Sequence, residues 1–130
     1  MIEIAALLVT ALLFGGMVLY SFGLAPFLFS ALPPETAGPT IRRAFPHFYL
    51  FVMVSAGAAA MLLWPVDGVA AAAAAVVALT TAPTRQLLMP AINAATDAGA
   101  KRRFAALHGL SVAITLAHIG LAAWALTRLV

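Results

Sequence analysis

The chain has 130 residues, of which 65% are hydrophobic and 8% charged, and its mean hydropathy is +1.08. Soluble domains carry about 25% charged side chains, so this composition excludes a water-soluble globule, and the same apolar excess excludes a disordered chain. Seven Lys or Arg against four Asp or Glu give a net charge of +3, and the absence of cysteine removes disulfides, thiolate metal sites and cysteine nucleophiles.

A helix that crosses a bilayer needs about 20 apolar residues, and four such runs follow one another. The first covers residues 4–32, without charge after Glu3, and its Gly15-Gly16, Gly23 and Pro26 give it room to tilt or kink. A Pro/Gly-punctuated stretch follows, with Ile41, Ala44 and Phe45 beside Arg42 and Arg43, and reads as a short interfacial helix or a solvated connector. The second span covers residues 46–64, with Pro46 suited to a first helical turn because its missing N–H has no partner there. Ser55/Ala59 and Ala56/Ala60 put small residues at the spacing that lets helices approach closely. The third span covers 69–97, opens on an alanine tract and is interrupted by Pro83 and Pro90; the fourth covers 104–128. The fold class is therefore an all-α integral membrane four-helix bundle, a single domain with short loops.

Even spacing of four spans puts both termini on one side. The opposite side carries Arg42, Arg43, Lys101, Arg102 and Arg103, and the terminal side has Arg128 with Glu3 and Asp67. The positive-inside rule makes the five-residue cluster cytoplasmic, at the membrane interface, and places both termini on the non-cytoplasmic side of what reads as a bacterial inner membrane. Basic residues gathered at a membrane boundary also argue against nucleic-acid binding.

Polar groups in hydrocarbon are costly unless paired, so they mark candidate sites. His108, Ser111, Thr115 and His118 form one stripe on the fourth span, which must face the bundle. His118 lies roughly 21 Å along that helix from Phe104. It either bonds to a neighbouring helix or serves as a proton relay or an axial haem ligand, and a bis-histidine haem would need His47 or His108 at similar depth. The cytoplasmic half of the third span is unusually polar, with Arg85 and Asn93 among its residues. Arg85 either snorkels to the headgroups or binds an anion. Together with Tyr49 and His108 these residues suggest a polar pocket on the cytoplasmic side. The four carboxylates are scattered, and neither a His-x-x-x-His pair, a phosphate loop nor a serine elbow is present.

Phe29-Ser-Ala-Leu-Pro33, Arg43-Ala-Phe-Pro-His-Phe-Tyr49, Leu88-Met-Pro-Ala-Ile-Asn93 and Phe104-Ala-Ala-Leu-His-Gly-Leu-Ser111 together resemble the transmembrane protein 205-like family, small four-span proteins also catalogued as a domain of unknown function. The resemblance spans nearly the whole chain, with Pro46, Tyr49, Pro90, His108, Gly109 and Ser111 as its matching positions, and does not extend to His47 or His118. It implies the fold and little chemistry. A eukaryotic member is associated with resistance to platinum drugs, but this chain has no cysteine for a soft metal. The sequence thus points to a non-enzymatic membrane protein with the bilayer as its first partner, an accessory subunit of a larger complex or a homo-oligomer binding an apolar ligand. The alternatives are a haem or metal protein using His108 or His118, and a small-solute transporter using Arg85.

Overall fold

The structure, a computed structural model, describes all 130 residues, Met1–Val130. Four long helices follow in order: α1 (Ile2–Ala31), α2 (Pro34–Leu63), α3 (Gly68–Asp97) and α4 (Lys101–Thr127), each long and apolar enough to cross a membrane. The connections are too short for anything but antiparallel neighbours. Each helix packs on two others, α1 on α2 and α4, and α3 on α2 and α4, so the four form a closed ring.

The turns follow from local chemistry. Leu32 is extended ahead of Pro33, as a residue before proline prefers, and Pro34 opens α2 at its first position. Asp67 caps α3, its carboxylate accepting from the backbone N–H of Val69 at 2.9 Å and Ala70 at 3.1 Å. At the far end of α3, Gly99 takes φ +65°, and the Ala100 N–H reaches back to the Ala95 carbonyl at 3.0 Å. Only this left-handed glycine lets the chain reverse so tightly into α4.

Residues 34–45 are helical, as the sequence suggests, yet they are continuous with the second span rather than a separate element. Pro46 lies inside α2, and so does Pro39. An interior proline costs about 3 kcal/mol, mainly through a lost carbonyl partner. Here the orphaned carbonyls belong to Glu35 and Arg42, both exposed where water can solvate them, while buried Ala37 and Ile41 anchor the extension. The third span is likewise continuous through Pro83 and Pro90, at Pro90 by a different device. Thr84–Leu88 widen into a π-helical turn, and Leu19–Leu24 do the same in α1. Each wide turn ends two residues before a proline, Pro26 or Pro90, so the carbonyl that would clash with the ring lies inside it.

The core has two parts. Toward the termini, Ala6, Ala59, Leu63, Ala70, Ala71, Ala74 and Ala125 bring the helices together backbone to backbone, so the small-residue spacing on the second span meets the alanine tract of the third. Toward the other end larger side chains fill the bundle, with Leu13, Met17, Phe48, Tyr49, Val52 and Val77 buried together. The outward faces remain apolar, as at Leu8, Leu12, Val54, Leu79 and Leu116. A surface of this kind suits lipid, and the protein is an integral membrane bundle.

Candidate functional site

Two carboxylate–arginine pairs mark the two ends. Asp97 receives two bonds from Arg42, at 2.7 and 2.9 Å, tying the end of α3 to α2. Asp67 receives Arg128 at 2.8 and 3.3 Å, and the Arg128 guanidinium also lies 5.2 Å from the centre of the Trp124 ring. Arg128 beside it, helped by the Ala70 and Val69 N–H groups, holds the Asp67 carboxyl below the usual carboxylate range. The sequence places Arg42 at the membrane interface as a cation and gives it no partner. A charge count by side carries no information on pairing across 55 residues.

The predicted polar stripe on α4 divides. Ser111 and His118 are buried, Thr115 is half-buried and His108 is exposed. His118 Nε2 lies 2.7 Å from the Thr80 hydroxyl of α3, which itself donates to the Val76 carbonyl at 2.6 Å. A hydroxyl has one proton, so Thr80 accepts from His118 Nε2–H, and an axial metal bond through Nε2 would first have to displace it. The His108 ring stacks on Phe104 one turn back, with centroids 5.4 Å apart, and the Ser111 hydroxyl donates to the His108 carbonyl at 2.7 Å. The Phe-x-x-x-His-Gly-Leu-Ser motif therefore closes on its own helix.

Arg85 reaches across to α2, its Nε donating to the Pro46 carbonyl at 3.2 Å, and its Nη1 lies 3.5 Å from the Gln86 side-chain oxygen. Tyr49 is buried among aromatic rings, stacked on Phe45 with centroids 5.8 Å apart. Asn93 is half-buried on α3. Arg85 thus reaches the same turn of α2 that carries Tyr49, whereas His108 stacks on its own helix, and none of Tyr49, Arg85, Asn93 and His108 lines the groove between α1 and α2.

What the structure does gather lies between α1 and α2. Gly16, Leu19, Tyr20, Gly23, Leu24 and Phe27 on one side face Ala44, His47, Phe48 and Phe51 on the other, around a groove of about 680 Å3. The widened turn Leu19–Leu24 forms one wall. The back is aromatic, with Tyr20 stacked on Phe48 at 4.1 Å and edge-on to Phe45 at 5.8 Å. Phe45 and Tyr49, two residues of the Phe-Pro-x-x-Tyr motif, buttress that wall from behind. At the floor a Cβ at Gly16 would fall 2.5 Å from the Phe51 ring, so that ring keeps its place only against glycine. The Tyr20 hydroxyl is buried without a hydrogen-bond partner in the chain. Sequence reasoning missed this groove; its one signal was the pair of glycines, Gly16 and Gly23, seven residues apart and so on one face of α1.

Fold and groove together define a small four-helix integral membrane protein with an apolar concavity in its flank. Residues 8–101 match the family described as Domain of unknown function (DUF4149), and the chain belongs to that family. Neither the curated proteins nor the solved structures yield a match.

Proposed function

We propose that this protein is a non-enzymatic membrane protein that takes an apolar, chain-like molecule from the bilayer into the α1–α2 groove, either alone or as an accessory subunit of a larger assembly. The observation that carries the reading is the groove itself. Its lining is overwhelmingly hydrocarbon, it opens sideways, and its rim residues Leu19, Leu24 and Phe27 are exposed on the flank of the bundle. A ligand that enters from lipid needs no aqueous path.

In this reading the end bearing Arg43, Lys101, Arg102 and Arg103 faces the cytoplasm of a bacterial inner membrane and both termini lie outside, on the strength of the Lys/Arg bias between the two ends. Within its family the chain sits with the transmembrane protein 205-like members, on the strength of the Phe-Pro-x-x-Tyr and Phe-x-x-x-His-Gly-Leu-Ser elements. Because the chain has no cysteine, single Ala98→Cys and Val66→Cys variants, which leave the left-handed Gly99 in place, report sidedness cleanly to an impermeant maleimide.

The test of the binding reading is a native mass spectrum of protein released gently from its own membranes. A 13.4 kDa chain carrying one lipid-sized increment, lost in an Ala44→Phe variant that fills the groove, is the expected result. An increment that survives Ala44→Phe overturns it.

A further inference from the structure

The groove has a polar mouth at one end only. His47 is exposed on its lip, and Arg43 lies one helical turn nearer the end of the bundle on the same face of α2. The neighbouring Arg42 is neutralised by Asp97, whereas Arg43 pairs with no carboxylate. Depth fits the same division. Counting ~20 residues of hydrocarbon back from Leu63 at 1.5 Å each brings the apolar boundary to about Arg43. From there Ala44, Phe48 and Phe51 descend into the membrane over ~10 Å. An unpaired guanidinium at headgroup level and an imidazole N–H about 6 Å below it thus stand at the mouth of an apolar channel.

We propose that the groove's ligand is an anionic phospholipid, one acyl chain lying along Tyr20, Gly23, Ala44, Phe48 and Phe51 and its phosphate held by Arg43 and His47. This deepens the reading given under Proposed function and rests on it. Arg43 supplies the charge and His47 a directional N–H, which a planar guanidinium and an imidazole present to phosphate oxygens without loss of other bonds. The basic cluster at Lys101, Arg102 and Arg103 enriches anionic lipid around the same end, but it lies on α4, which does not line the groove. The selectivity therefore belongs to α2.

The test is lipid titration into delipidated full-length protein at pH 7, read by native mass spectrometry, with dioleoyl phosphatidylglycerol against dioleoyl phosphatidylcholine and helicity checked for each variant. One phosphatidylglycerol per chain, preferred about five-fold or more, is expected, since one interfacial cation is worth about that factor. Arg43→Gln with His47→Leu removes the preference while leaving phosphatidylcholine binding unchanged. Arg43→Lys restores it, and Arg103→Gln leaves it intact. Ala44→Phe, or Gly23→Ile, where the added Cβ meets only the mobile tip of Leu19 at 3.2 Å, lowers binding of both lipids. Equal binding of both lipids, with Ala44→Phe still abolishing it, overturns the anionic assignment and leaves the groove as an apolar site. Binding indifferent to both groove-filling variants overturns both. A stable lipid-free dimer does too, because it makes a second copy the groove's occupant.

Discussion

Leu12 and Leu13 are adjacent on α1 and of one residue type, yet Leu12 is 56% exposed on the flank and Leu13 1% exposed among Met17, Phe48, Val52 and Val77. In a water-soluble core a buried Leu→Ala change costs about 2.7–5.0 kcal/mol, of which the lower figure is largely transfer from water and the rest a cavity term of about 24 cal/mol per Å3. Helices that separate in a bilayer pass into lipid, so the transfer part drops out. A residual cavity of about 50–100 Å3 then leaves about 1–2.5 kcal/mol for Leu13→Ala, with Leu12→Ala near zero because lipid refills the gap. Reversible unfolding in phospholipid–detergent mixed micelles titrated with dodecyl sulfate measures both. Equal costs at the two positions would refute the orientation of α1, and a cost of about 4 kcal/mol or more at Leu13 would refute a lipid-solvated unfolded state.

Replacing Thr80 by Val leaves the His118 Nε2–H without its partner and is expected to cost about 0.6–1.7 kcal/mol in the same assay, with Thr96→Val as a silent control. Tyr20→Phe removes a buried hydroxyl that has no partner in the chain, so it is expected to be neutral or stabilising; a clear loss would reveal a partner for that oxygen. For Asp67 the pH dependence has a definite sign. Its carboxyl is held low in the folded protein, so its contribution is complete above the ordinary carboxyl range and is lost as pH falls through the folded value. Below about pH 4 the wild type should therefore lose stability more steeply than Asp67→Asn, which keeps the helix cap but not the ion pair; parallel curves would contradict this.

Much of this architecture is legible in the residues because hydropathy and punctuation are local signals. Four apolar runs, the Pro33-Pro34 break and Gly99 set the number and ends of the helices, and Ser55, Ala56 and Ala59 mark the face that meets the alanines of α3. Pro46 misled the boundary of α2, since a proline starts a helix or interrupts one with the same chemistry, and only burial of Ala37 and Ile41 decides between them. The polar residues were visible but their partners were not. His118 reads identically as a haem ligand or as the donor to Thr80, 38 residues away, until the register of α3 against α4 is known. The groove was the least legible feature, because it lies between the wide turn before Pro26 on α1 and Ala44 and His47 on another helix. No periodicity within either segment encodes that separation.

The account turns on where lipid meets this protein in an intact bilayer. Vesicles containing a phospholipid with a photoactivatable diazirine along one acyl chain, irradiated and mapped by peptide mass spectrometry, address it directly. Adducts concentrated on the groove-lining residues of Gly16–Phe27 and Ala44–Phe51, and depleted by Ala44→Phe, are the predicted result. Adducts spread evenly over Leu8, Val54, Leu79 and Leu116, with none favoured in the groove, would contradict it.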